Sequence, residues 1–144
     1  MPEDGTLSGH CLCGAARFTA RPKQMHMDVC HCGQCRRWSG GTWMTVECEP
    51  ESLAVEDAGR IGVYASSDHA ERGFCGTCGT TLYWRMKDGS LLTVSAQAFE
   101  APERFAFASE IFIDRKPGNY AFANDTKKLT EAEVLAQFPE IAGC

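Results

Sequence analysis

The chain has 144 residues, 44% of them hydrophobic and 23% charged, and a formal net charge of −5 at pH 7. These values fit one folded domain spanning residues 1–144 with a buried core, and they exclude a disordered chain. The acidic balance argues against nucleic acid as a partner, because phosphate binding draws on basic patches, and nothing here is denser in basic residues than Arg36-Arg37 or Lys127-Lys128.

The N-terminal Met1-Pro2-Glu3-Asp4-Gly5 is polar and acidic, unlike the basic-then-apolar start of a signal peptide, so a cytoplasmic location is expected. Gly9 to Ala20 reads as a hairpin turning at Cys11-Leu12-Cys13-Gly14, with alternation beginning at Ala16. Met25 to Val29 is an extended apolar run that leads into a tight turn, Cys32-Gly33-Gln34-Cys35. After the break at Ser39-Gly40-Gly41, strand composition returns at Thr42 to Val46, then at Ser52 to Val55 and Ile61 to Ala65. Glu71 to Phe74 enters another turn, Cys75-Gly76-Thr77-Cys78-Gly79, and Thr81 to Arg85 leaves it. Asp88-Gly89 is a hairpin signal before Leu91 to Val94. Ser109 to Ile113 is a further strand, and Asp114 to Asp125, with its Lys116-Pro117-Gly118, is a surface loop. A helix is expected near the C-terminus: Thr130 and Glu133 make a capping box, Val134, Leu135 and Phe138 an apolar face, and Pro139 a stop. Many short strands with Gly-rich turns predict a mostly β fold. No apolar stretch approaches the ~20 residues of a membrane-spanning helix, so no membrane partner is expected.

Nine cysteines are an odd number, poorly suited to a disulfide framework, and in a reducing cytosol they point to metal or redox chemistry. Seven fall into clusters: Cys11-x-Cys13, Cys30-x-Cys32-x-x-Cys35 and Cys75-x-x-Cys78. Thiolate is a good ligand for zinc, and short gaps let the sulfurs of one turn reach one ion. Cys11 and Cys13 with Cys75 and Cys78 can close a tetrahedral structural site that pins distant parts of the chain together. Cys30, Cys32 and Cys35 offer a second zinc three ligands, leaving a position for water or substrate, although a further ligand could close the site. His31 is awkward as that ligand, since adjacent strand residues point to opposite faces. Cys48 and Cys144 are expected to be ordinary thiols, and His10, His26 and His69 surface or packing residues. Trp38, Trp43 and Trp84 read as core or pocket wall.

In order and spacing these clusters resemble the glutathione-dependent formaldehyde-activating (GFA) family, whose zinc domain is shared with centromere protein V. The matching text is Gly9-His10-Cys11-Leu12-Cys13-Gly14 with Phe18, then Cys30-His31-Cys32-Gly33-Gln34-Cys35-Arg36 with Ser39-Gly40. Phe74-Cys75-Gly76-Thr77-Cys78-Gly79-Thr80-Thr81-Leu82-Tyr83 completes it. The resemblance spans roughly residues 5 to 125. It implies a β-tent fold of mostly antiparallel strands, a structural zinc on Cys11, Cys13, Cys75 and Cys78, and a second zinc on Cys30, Cys32 and Cys35. It implies, as activity, the joining of glutathione and formaldehyde to S-hydroxymethylglutathione, a carbon–sulfur lyase reaction in reverse.

An enzyme of that kind would bring a thiol such as glutathione to the second zinc, which lowers its pKa, and the thiolate would attack a small aldehyde. Arg36 or Arg37 could pair with a substrate carboxylate. Two alternatives stay open on the same residues: a zinc-stabilised binding module without catalysis, and a thiol redox or metal-buffering protein using Cys30, Cys32 and Cys35.

Overall fold

The computed structural model describes residues 4–143. Cys144, expected to be an ordinary thiol, lies outside them. In chain order the elements are β1 (Leu7–His10), β2 (Arg17–Ala20), β3 (His26–Cys30), α1 (Gly33–Ser39), β4 (Trp43–Glu47), β5 (Ala54–Val55), β6 (Ile61–Tyr64), β7 (Ala70–Cys75), β8 (Thr81–Met86), β9 (Leu92–Ser95), β10 (Ala106–Ile111), β11 (Lys127–Leu129) and α2 (Glu131–Gln137). The mostly β architecture and the C-terminal helix agree with expectation. Thr130 caps α2 through a capping box with Glu133.

A small sheet has the order β1-β2-β5, and a large eight-stranded sheet the order β11-β10-β3-β4-β9-β8-β7-β6. Most pairings are antiparallel, but β10 runs parallel to both β3 and β11. Parallel pairing joins strands far apart in sequence, so no hairpin signal marks it.

Alternation along the strands gives the large sheet two different faces. One face carries Val46, Tyr83 and Val94, which pack with Phe18 and Ala20 of the small sheet and with Phe99 and Phe105. Gly9 sits where β1 meets this core: a Cβ there would lie 2.4 Å from the Ala98 carbonyl oxygen and 2.5 Å from the Phe18 ring. The opposite face carries Trp43, Trp84, Met86 and Ala70, covered by Phe112, Val134 and Ile141.

Two local readings are corrected. Cys32 to Cys35 is not an isolated tight turn but the start of α1. The Cys32 sulfur, in the N-cap position, accepts the Cys35 N–H, and the helix runs on to Gly40, whose φ of 80° closes it. Seven residues are too few for helical periodicity to stand out against the cysteine spacing. The strand expected at Ser109 to Ile113 is β10, which ends at Ile111 because Phe112 turns the chain with φ 54°. No helix among the described residues is long and apolar enough to cross a membrane.

Candidate metal centres and the adjoining cavity

Two groups of cysteine sulfurs assemble, each with all its sulfurs within 4.8 Å of one another: Cys11, Cys13, Cys75 and Cys78, and separately Cys30, Cys32 and Cys35. Both can hold a metal ion. A tetrahedral ion with bonds of ~2.3 Å separates its sulfurs by ~3.8 Å. The Cys11–Cys13 and Cys13–Cys75 sulfur distances are 3.6 and 3.8 Å, and an all-sulfur donor set suits zinc.

The first group joins the β1–β2 turn to the turn between β7 and β8. Backbone N–H groups aim at its sulfurs: Ala16 at Cys11 (3.2 Å), and Thr77 and Cys78 at Cys75 (both 3.4 Å). The Cys78 and Thr77 amides hold the Cys75 thiol below its ordinary value. The Thr80 hydroxyl, 3.1 Å from the Cys78 sulfur, and the Thr80 backbone bring the Cys78 thiol down to about 5. At Cys13 the Ala15 N–H favours the thiolate, but desolvation and the crowd of sulfurs win and push it up to about 11. Thr80 also accepts from the Leu12 N–H at 3.0 Å, tying the two turns together.

In the second group Cys30 ends β3 while Cys32 and Cys35 open α1. Hydrogen bonding with Cys32 and Cys35, then burial, raises the Cys30 thiol well above its ordinary value. At Cys35 the Cys30 thiol favours the thiolate, but Cys32, burial and the repulsion between sulfurs outweigh it and give about 11. A metal entering this group therefore releases protons, so its affinity rises with pH.

Arg72 of β7, only 1% exposed, reaches this group. Both terminal guanidinium nitrogens lie 3.7 Å from the Cys35 sulfur, and one also donates to Gln34 Oε1 at 3.3 Å. The guanidinium carbon lies 5.2 Å from the Trp38 ring centroid and 6.0 Å from that of Trp43. A buried cation beside the sulfurs favours their ionised, metal-binding form.

His31 is fully buried and is held by other partners. Its Nε2 lies 2.8 Å from Glu110 Oε1, and its Nδ1 lies 3.1 Å from the Tyr120 hydroxyl. The Thr126 hydroxyl donates to the other Glu110 oxygen at 2.5 Å, and the His31 N–H donates to the Ile111 carbonyl at 3.0 Å. The network anchors the cysteine-bearing loop to β10. It also shows that the Asp114 to Asp125 loop, though outside the sheets, supplies Tyr120 and Phe122 against His31.

Cys30 and Cys35 line a cavity of about 340 Å³. Its floor follows the strand register: Ile111 lies opposite Cys30, Cys30 opposite Trp43, and Trp84 opposite both Thr93 and Arg72. Val134 and Gln137 of α2, with Phe138 and Ile141 after it, form the roof. Trp43 and Trp84 are pocket wall, as expected, while Trp38 stacks edge-on against Trp43 with ring centroids 5.0 Å apart. Arg72 lines the cavity; Arg36 and Arg37 are not among its lining residues. Arg36 donates instead from Nε to the His31 carbonyl at 3.0 Å, and Arg37 is exposed. Cys48 is buried in the other core, His26 is exposed, and His10 lies 3.6 Å from Glu100. Arg72, Glu110 and Tyr120 escaped sequence reading. The one signal at Arg72 is a charge in the same strand phase as the buried Ala70.

The model of the glutathione-dependent formaldehyde-activating enzyme family matches residues 6–115. The chain belongs to this family. It is 38% identical over 136 residues to an uncharacterized lyase of Schizosaccharomyces pombe, covering 94% of this chain and 96% of that protein. It is 29% identical over 85 residues, 54% of each chain, to a Halomonas elongata protein named for glutathione-dependent formaldehyde activation. The crystal structure of a Rhodobacter sphaeroides protein shares the fold, with a TM-score of 0.58 and 22% identity over 65% of this chain and 88% of that one. The GFA match contains every cysteine of both groups, whereas the roof residues Val134, Gln137, Phe138 and Ile141 lie beyond it.

Proposed function

We propose that this GFA-family chain is a zinc-dependent lyase of the carbon–sulfur class, acting on the adduct of a thiol and an aldehyde, the family's named pair being glutathione and formaldehyde. The observation that carries this reading is the sulfur trio at one end of a cavity, with Cys30 and Cys35 in its wall. Cys11, Cys13, Cys75 and Cys78 would hold a structural zinc; Cys30, Cys32 and Cys35 would hold the zinc at which chemistry occurs. That second zinc supplies a Lewis-acid centre, able to lower the pKa of a thiol to near neutrality.

The chain's own residues do the rest. Arg72 offsets the charge of the clustered thiolates and keeps Cys35 in place. The His31–Glu110 contact fixes the loop that presents Cys30 and Cys32. The cavity walls exclude water and hold the carbonyl compound beside the sulfurs. In the synthetic direction the thiol sulfur bonds to the carbonyl carbon, the π pair of C=O moves to oxygen, and the thiol proton ends on that oxygen. The lyase direction reverses each transfer. On this reading the partners are small molecules, and neither nucleic acid nor a membrane is needed.

The test is to load the purified chain with zinc, measure the metal bound per chain, and follow adduct formation from thiol and aldehyde by NMR. Two zinc ions per chain and a rate above the uncatalysed one are expected. A rate equal to the uncatalysed one with every thiol and aldehyde tried would overturn the assignment.

A further inference from the structure

The cavity at the sulfur trio differs from what glutathione and formaldehyde require. The space is about 340 Å³, within the ~300–1,000 Å³ range of drug-sized ligand sites, and it is the lining rather than the size that departs from the named pair. Its far wall and roof are apolar apart from Gln137: Leu91, Phe112, Leu129, Val134, Phe138 and Ile141. Glutathione brings two carboxylates, yet the cavity's cation, Arg72, is already engaged with Cys35, Gln34 and the Trp38 ring. The ionisable side chains toward the opposite end are acids, Asp28 and Glu47. Lys23 lies 2.9 Å from Glu47, and the Ser109 hydroxyl donates to Asp28 at 2.5 Å, so neither acid is left to attract an ammonium strongly.

What the cavity offers is the sulfur trio with Arg72 at one end and an apolar body behind it, so the lining that is left free suits hydrocarbon better than charge.

We infer that the cavity binds an uncharged apolar aldehyde, of medium alkyl chain or aromatic kind, with its carbonyl group toward the sulfur trio and its hydrocarbon part beneath α2. The inference rests on the thiol–aldehyde reading above and names the carbonyl partner. The bond changes are those already given: the sulfur–carbon bond forms as the carbonyl π bond opens, and the thiol proton passes to oxygen. The roof lies beyond the span matched by the family model, so this chain's carbonyl partner need not be the family's named one.

The test begins with binding to the zinc-loaded full chain, read by tryptophan emission, because Trp43 and Trp84 line the cavity. The probes are 2-octanone as a neutral carbonyl compound, octanoate as its anionic counterpart and acetone as a short one. Saturable binding of 2-octanone is expected, with octanoate and acetone each at least about tenfold weaker, the loss that ~1.4 kcal/mol gives. Phe138→Gln places a polar group in the roof and should weaken 2-octanone about three- to tenfold. The ligand ranking on the unaltered chain decides the matter even where that variant folds poorly. No emission change up to the solubility limit of 2-octanone, or tighter binding of octanoate, overturns the inference.

Turnover then separates the two readings. Octanal with 2-mercaptoethanol should form adduct with a larger rate enhancement than formaldehyde with glutathione. The reverse order overturns the apolar partner and leaves the lyase reading standing. Binding of 2-octanone with no catalysed adduct from any pair supports the cavity assignment and removes the lyase.

Discussion

The guanidinium of Arg72 lies against the sulfur of Cys35, both terminal nitrogens at 3.7 Å, although the two residues sit on different elements and 37 positions apart. The arginine is sealed in by Trp38 and Trp43. It cannot leave for solvent, so its charge must be answered locally, and the sulfurs answer it. Arg72→Met removes that charge at similar length. The affinity of the Cys30, Cys32 and Cys35 group for zinc should fall about 10- to 100-fold, as for other groups that support metal ligands. The Cys11, Cys13, Cys75 and Cys78 group should be unaffected. Titration against a competing chelator measures both affinities in one protein; equal loss at the two groups would show a general folding defect instead.

The two metal groups should differ in what they hold together. The quartet joins turns more than sixty residues apart, and the Cys13 and Cys75 sulfurs are 62 positions apart in sequence. A metal bound there would contribute directly to folding energy. Cys75→Ser should leave the chain largely unfolded or aggregated. The trio comes from one short segment that α1 and the His31 network already position. Cys32→Ser should cost only ~1–3 kcal/mol, or roughly 3–10 °C in Tm for a chain of this size. Thermal unfolding of both variants, beside zinc content, checks the division; matching losses would contradict it.

The parts of this site that were legible in the sequence are those with local spacing. Cysteines one or two residues apart must share a turn, and Thr130 to Glu133 must cap a helix, so both centres and α2 could be read directly. Arg72, Glu110 and Tyr120 act across 37, 79 and 89 positions, through pairings that no local pattern encodes. The cavity likewise draws its floor from separate strands whose order in the sheet is not their order in the chain. Arg36 and Arg37 stood out in sequence by adjacency to a cysteine, yet α1 turns Arg36 back onto the His31 carbonyl.

Glu110 should give the acid side of the stability curve a measurable slope. Burial alone would raise its carboxyl, but the Thr126 hydroxyl and then His31 outweigh it and hold it below the ordinary value of 4.5. A depressed carboxyl contributes stability that is complete above the unfolded value and lost as pH falls through the lower folded one. Glu110→Gln keeps the shape and loses the charge. The variant should be less stable than the parent at neutral pH, with the gap shrinking as pH drops below about 4.5. Urea midpoints for both chains across that range test this; a constant gap would mean that Glu110 acts by shape alone.

Cys48 supplies the matching prediction on the alkaline side. Its sulfur is fully buried, 3.6 Å from the Val46 carbonyl, in the core between the small sheet and the large one, and it belongs to neither cysteine group. Burial, then the nearby Glu47 and Glu49 carboxylates, push its thiol from 9.0 up to about 12. The protonated form is the one the core accepts. Its contribution to stability is complete below the unfolded value of 9.0 and is lost as pH rises toward about 12. Cys48→Ala should therefore lower stability at neutral pH by ~1 kcal/mol, through the lost sulfur contacts, and flatten the alkaline fall. In the zinc-loaded parent, Cys48 should stay silent to Ellman's reagent near pH 8 until denaturant is added, because the reagent needs an accessible thiolate. Mass spectrometry of the labelled peptide identifies the site. Rapid labelling of Cys48 in the folded chain would place it in a mobile region and remove the basis for the alkaline slope.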